Sequence, residues 1–177
     1  MNFAFVYIYG DKINLGRKLT HSIKISHPDS FIIQITDLHA KSIDTVDHVE
    51  RVNFYNETFI YDCIKAKRRI INKFGPTVFL DSDMLILESV NEFYNIQDYD
   101  FSITTRPKNY NQFVFTPNKL HKQKFPEIIG RKVGDVMPYN AGIFYCKNVE
   151  TLEYMLTSYN AMNKNYHEWY GDQIALK

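Results

Sequence analysis

The chain has 177 residues, is 45% hydrophobic and carries a formal net charge of +1. That length and apolar content suffice for one substantial core and predict a single domain over residues 1–177, while near-neutrality removes the electrostatic case for nucleic acid or an anionic membrane as partner. No apolar run reaches the ~20 residues of an integral membrane segment, and Cys63 and Cys146, far apart and without CxxC spacing, read as reduced thiols of a cytoplasmic protein.

Asn2 to Tyr9 (NFAFVYIY) is a β-branched and aromatic run that ends at Gly10-Asp11 and predicts a first, central strand. Leu15, Leu19 and Ile23 then recur every four residues, the stripe of a helix that stops near Ser26, ahead of His27-Pro28. Phe31 to Thr36 (FIIQIT) reads as a second buried strand, so the chain opens with a strand, helix, strand unit of the right-handed parallel kind. Residues 37 to 50 are polar and aperiodic, and Val49 to Phe54 predicts a short third strand. His27, His39 and His48 are scattered here without HxH or HxxxH spacing, which argues against zinc.

A long helix is expected from Glu57 to Phe74, with Asn56 as N-cap and Gly75-Pro76 as stop signal. Its apolar stripe is Ile60, Ile64, Ile71 and Phe74, and Lys67 lies on that stripe, where an ammonium must reach a partner or bend toward solvent. With Lys65, Arg68 and Arg69 it forms a basic cluster whose members can meet a phosphate or simply face water.

Thr77 to Leu80 has no alternation and predicts a strand buried on both faces, followed at once by Asp81 and Asp83. Unpaired carboxylates are too costly for such an interior, so they mark the carboxyl end of the strand, where open α/β sheets bind ligands. Strand alternation puts both on one side, able to converge on a single cation, and two hard oxygen ligands suit Mg²⁺ or Mn²⁺ better than Zn²⁺.

Met84 to Leu87 then reads as a short strand, Ser89 to Tyr94 as a helical turn, and Asp100 to Thr105 as a further strand. Residues 106 to 138, punctuated by Pro107, Pro117, Pro126 and Pro138, form an excursion over the open end of the sheet. Asn140 and Gly142 precede a buried strand that ends at Cys146, the glycine allowing backbone to approach a ligand. A helix capped by Asn148 runs from Val149 to Lys164, with Leu152, Met155, Leu156, Tyr159 and Met162 as its stripe. Gly171-Asp172-Gln173 opens a last helix with a carboxylate and an amide in its first turn.

The ordered segments FVYIYGD, KAKRRI, VFLDSDMLIL, YNAGIFYCKN and GDQIAL, spread over residues 3 to 176, resemble those of nucleotide-sugar glycosyltransferases with a GT-A fold, glycosyltransferase family 8 and its glycogenin-like and galactosyltransferase-like members in particular. The resemblance implies a Rossmann-like α/β fold with a mainly parallel central sheet flanked by helices. It also implies a metal-dependent, retaining hexosyltransferase that takes a sugar nucleotide, a UDP-sugar by analogy, as donor. The acceptor stays open among glycan, lipid, protein and small molecule.

By the same resemblance Asp83 chelates Mn²⁺ or Mg²⁺ on the diphosphate, and Asp81 shares the metal and the ribose. Tyr7, Tyr9 and Asp11 hold the base, one tyrosine stacking on it. Lys65, about sixteen residues before the aspartates, meets the donor phosphate or sugar, with Lys67 as its rival. Asn140 and Gly142 lie beside the sugar, and Asp172 with Gln173 faces its anomeric carbon. Family 8 chains continue past the DQ pair to an HxxGxxKPW-like segment carrying a third metal ligand. This chain ends at Lys177 and its His167 precedes the pair, so the domain is expected to lack that segment and to lean on the nucleotide's phosphates for the rest of the metal shell. Two rival readings are a haloacid dehalogenase-like phosphatase, whose paired aspartates continue Gly-Thr where this chain has Met84-Leu85, and a non-catalytic nucleotide- or glycan-binding module.

Overall fold

A computed structural model describes residues 1–8, 13–92, 99–105, 135, 138–164, 167 and 171–176. Its strands are β1 (Asn2–Val6), β2 (Phe31–Asp37), β3 (His48–Val52), β4 (Thr77–Leu80), β5 (Phe101–Thr105) and β6 (Tyr139–Cys146). Its helices are α1 (Ile13–Ser26), α2 (Phe59–Phe74), α3 (Val149–Ala161) and the short α4 (Gly171–Ala175). The strands form one sheet in the order β3-β2-β1-β4-β6-β5. β3, β2, β1 and β4 run parallel, and β6 is antiparallel to both β4 and β5.

Strand alternation splits the apolar side chains between two layers. Phe3, Phe5, Val78, Leu80 and Tyr145 face α1 through Leu19 and Ile23. Ala4, Phe79, Phe144 and Cys146 face α2 and α3 through Ile64, Ile71, Leu152 and Met155. With both faces covered, β1 and β4 have no room for charge, which is why their sequences are continuous apolar runs. The polar member of β2, Gln34, is fully buried and satisfied: its Oε1 accepts the Ile43 N–H at 2.8 Å and its Nε2 donates to the Lys41 carbonyl at 3.2 Å. That pair of bonds pins the aperiodic stretch after β2 to the sheet.

Several boundaries differ from expectation, each for a local reason. β1 ends at Val6, and Tyr7 instead donates its N–H to the Ile35 carbonyl at 2.8 Å. The second helix begins at Phe59 after a 3-10 turn at Asn56–Thr58, so Thr58 and not Asn56 is its N-cap. The Thr58 hydroxyl donates to Asp62 Oδ2 at 2.7 Å. The stop signal holds: Gly75 adopts φ +79°, a conformation open to glycine, and donates its N–H to Ile71. Asn140 and Gly142 lie inside β6. α3 ends at Ala161, where Met162 turns extended, and Asn148 occupies its N-cap without a side-chain capping bond.

The largest correction concerns residues 81–87. Asp81 to Met84 is a turn closed by the Met84 N–H on the Asp81 carbonyl at 3.2 Å, and Met84 to Leu87 is not a strand. Ile86 docks on α1 instead, accepting at its carbonyl from the Ser26 hydroxyl and donating its N–H to Ser22 Oγ. Side-chain hydroxyls thus replace the ladder that a strand would need, burying Ile86 while Leu85 and Leu87 stay exposed. Among the described residues no helix is long and apolar enough to cross a membrane, and both cysteines are buried free thiols.

Phe144 stacks on Phe79 at 5.0 Å between ring centroids and meets Phe101 at 5.5 Å, joining the parallel and antiparallel parts of the sheet. Phe144→Ala is therefore expected to lower stability by about 3–5 kcal/mol, read from the midpoint of urea unfolding; a loss under about 1 kcal/mol would mean that this junction is not packed as described.

Candidate functional site

The site is assembled where the parallel and antiparallel halves of the sheet meet. Asp81 donates its N–H to the Gly142 carbonyl at 2.8 Å, one bond beyond the β4 and β6 ladder, and the chain then turns. The β5 and β6 pairing shifts register between Ile103 and Thr104, so β6 bends at Ala141 to Ile143 beside Asp81. Gly142 is what permits the approach. A methyl group added there would sit 3.2 Å from Asp81 Oδ2 and 3.3 Å from Asn140 Oδ1, and Asn140 Oδ1 itself accepts the Gly142 N–H at 3.2 Å.

The turn presents Asp81, Ser82 and Asp83 to a cavity of about 460 Å³. Val6 and Tyr7 at the end of β1 and Leu15 on α1 form one wall; Phe59, Ile60, Cys63 and Lys67 on α2 form another, with Asp172 of α4 beside them. Both aspartates thus line one cavity, brought there by a turn and not by strand alternation. A third carboxylate, Asp172, joins them from about ninety residues away in the chain.

Of the acids around this cavity, Asp81 and Asp172 are partly stripped of water. Asp81 keeps an exposed side, yet the protein wall around its carboxyl raises its pKa; the Lys67 ammonium opposes the shift, and Asp172 and Asp83 add to it. Burial likewise raises Asp172, against the lowering effects of Lys67 and of the Gln173 and Asp172 backbone N–H groups. The Cys63 thiol is pushed up to about 12, by burial first, so it is a neutral part of the cavity wall.

Among the described residues Lys67 is the basic side chain that lines the cavity. It is half-buried, and its Nζ lies 5.0 Å from the Phe144 ring centroid and 5.9 Å from that of Phe79. Lys65, the first choice by resemblance, is exposed and stands 5.2 Å from the Tyr61 ring, away from the cavity lining. The reason is helical geometry: two residues rotate a side chain by about 200°, so Lys65 and Lys67 cannot share a face. The rest of the basic cluster is engaged elsewhere, Arg68 with Glu153 and Arg69 with Glu50.

The other expected residues fall into place unevenly. Tyr7 lines the cavity but is only 4% exposed, which leaves little ring surface for a base to stack on. Tyr9 and Asp11 lie outside the described residues. Asn140 and Gly142 buttress Asp81 from β6. Gln173 follows Asp172 in α4 and donates its N–H to Asp172 Oδ1 at 2.8 Å. Among the described residues no group of three His, Cys, Asp or Glu side chains is placed to hold a metal ion. Asp81 and Asp83 by themselves offer a hard, doubly negative donor pair that fits Mg²⁺ or Mn²⁺ when the remaining oxygens come from a ligand. Cys63, Phe59 and Ser82 also line the cavity and were not expected there from the sequence. Cys63 could have been, because it precedes Lys67 by four residues and so shares its face.

No family model matches the chain, and no curated protein sequence does. Solved structures do match. The galactosyltransferase LgtC, in complex with donor and acceptor sugar analogs, aligns over 99% of this chain and 69% of its own, with a TM-score of 0.59 and 13% identity. The bifunctional glycosyltransferase WbbM aligns over 99% of this chain and 36% of its own, with a TM-score of 0.58 and 13% identity. The glycosyltransferase GlyE of Streptococcus pneumoniae TIGR4 aligns over 99% and 41%, with a TM-score of 0.52 and 13% identity. The chain therefore has the GT-A fold of glycosyltransferases, and spans between 36% and 69% of the length of these three.

The raised Asp172 carboxyl carries a pH signature. A carboxyl whose folded pKa lies above its unfolded value costs stability when ionised, and that cost is relieved as pH falls through the folded pKa. Asp172→Asn is accordingly expected to raise the melting temperature of the ligand-free protein at neutral pH, the gain shrinking as pH falls through the carboxyl range. Calorimetry from pH 4 to 8 reads it directly, and a variant less stable than wild type at neutral pH would contradict the assignment.

Proposed function

We propose that the protein transfers a sugar from a nucleoside-diphosphate sugar, in the simplest case a UDP-sugar, to an acceptor hydroxyl, with Mn²⁺ or Mg²⁺ held by Asp81 and Asp83. The observation that carries this reading is the meeting of those two carboxylates with Lys67 and Asp172 around one cavity at the carboxyl end of a central strand. It is supported by the shared fold of LgtC, a galactosyltransferase captured with donor and acceptor sugar analogs.

In this reading the bond between the anomeric carbon and the diphosphate oxygen breaks as a bond from the acceptor oxygen to that carbon forms, and the acceptor's hydroxyl proton passes to the departing diphosphate oxygen. Negative charge builds on the departing diphosphate and positive charge on the sugar. A bound divalent cation supplies Lewis-acid neutralisation of the departing oxygens. Asp81 and Asp83 fix where that neutralisation is available, and Lys67 brings a second positive charge to the same cavity from α2. Asp172 and its neighbour Gln173 stabilise the oxocarbenium-like carbon, with retention of configuration as the expected outcome. Gly142 keeps the sugar side of Asp81 clear, and Asn140 braces it. The base is assigned to the end of β1, with Tyr9 and Asp11 beyond the buried Tyr7. Lys65, on the far face of α2, is left out of donor binding.

The test is release of nucleoside diphosphate from a panel of sugar nucleotides with Mn²⁺. Wild type is expected to turn over at least one donor, EDTA to stop it, and Asp83→Ala to lower the rate by at least about 100-fold. An Asp83→Ala variant as active as wild type, or turnover of phosphomonoesters without any nucleotide, would contradict the proposal.

A further inference from the structure

The Lys67 ammonium occupies an unusual place. It lines a cavity with Asp81, Asp83 and Asp172, yet among the described residues it makes no direct ion pair with any of them. Its position is explained from below. Phe79 on β4 and Phe144 on β6 are buried and stacked on each other, and the ammonium sits within cation–π distance of both rings. The helix sets the other constraint, because Ile64 and Ile71 on the same stripe are buried and hold Lys67 above this aromatic floor. The charge is thereby held over the rings while it lines the same cavity as the carboxylates.

Building on the function proposed above, we infer that Lys67 serves two partners in turn: in the ligand-free protein it is the through-space counter-ion of Asp81 and Asp172, and in the loaded protein it is the counter-ion of the donor's diphosphate. Without Lys67 the aspartates that line the cavity would offer any free divalent cation negative charge with no positive charge opposing it. With it, a bare cation enters against a fixed positive charge, at a Coulombic penalty that a low-dielectric wall does not screen away. A diphosphate removes that penalty, since it supplies negative charge to both the cation and the ammonium. Binding of cation and nucleotide is therefore coupled through Lys67, each strengthening the other by the same factor. The site selects the cation already paired with a nucleoside diphosphate.

The prediction runs against simple loss of function. Lys67→Met fills the same space over the rings with an uncharged side chain. It is expected to bind bare Mn²⁺ at least about tenfold more tightly than wild type, and UDP in the presence of a chelator at least about tenfold more weakly. Lys67→Arg keeps the charge and is expected to stay near wild type in both, which guards against a merely structural effect. Bare Mn²⁺ is followed by the electron paramagnetic resonance signal of the free ion, and UDP by calorimetry. Bare Mn²⁺ affinity that is unchanged or weaker in Lys67→Met overturns the inference. Because that arm contains no nucleotide, it decides the counter-ion role even if wild type proves to bind no UDP with Mn²⁺, a result that would instead sink the proposed function.

Discussion

The constraint on which the site depends is the impossibility of continuing β4 past Leu80 with charge. β4 lies between β1 and β6 and is covered on both faces, so its four residues are all buried. A carboxylate in the next position must reach an opening or be neutralised, since leaving it unpaired in the interior costs several kcal/mol or more. The chain turns at Asp81, and everything nearby accommodates that turn. β6 loses register with β5 and lends the Gly142 carbonyl to the Asp81 N–H, and the absence of a side chain at Gly142 makes room for Asp81 Oδ2. The segment beyond is then held to α1 by the hydroxyls of Ser22 and Ser26.

The same constraint sets the electrostatics. Asp81 and Asp172 are each raised by burial and lowered by a single ammonium. That ammonium is supplied by α2, whose Arg68 and Arg69 are paired with Glu153 and Glu50 and whose Lys65 and Lys73 lie against the Tyr61 and Phe74 rings, so among the described residues Lys67 is the basic side chain of α2 that lines the cavity. A cavity with excess negative charge and one tethered cation suits a ligand that brings both signs. A metal-bound nucleoside diphosphate is such a ligand, and this ties the fold's geometry to the proposed chemistry.

Much of this was legible in the sequence because period and burial agree there. The strand, helix, strand opening, the buried run before the aspartates, the stop at Gly75 and the α3 stripe all follow from side-chain spacing alone, and the GT-A fold follows from the order of five motifs. What was misread turned on contacts distant in the chain. Asn56 looked like a cap, but the helix starts three residues later, where Phe59 can pack on Phe54 at 5.2 Å. Met84 to Leu87 has the composition of a strand, but α1 offers it hydroxyl groups in place of a neighbouring strand. Lys67 is the most instructive case. Its place on the apolar stripe marked it for the interior, and motif spacing favoured Lys65; the packing of Ile64 and Ile71 turns Lys67 to the cavity and leaves Lys65 exposed beside Tyr61.

The central claim is that Asp81 and Asp83 grip a divalent cation shared with a nucleotide's phosphates. Anomalous diffraction from crystals grown with Mn²⁺ and UDP measures it most directly. The account predicts one manganese peak within about 2.0–2.4 Å of oxygens from Asp83 and the diphosphate, with Asp81 on the same ion and the Lys67 ammonium turned toward the phosphates. Diphosphate bound in the cavity with no manganese at these aspartates, or manganese bound elsewhere on the chain, would contradict it.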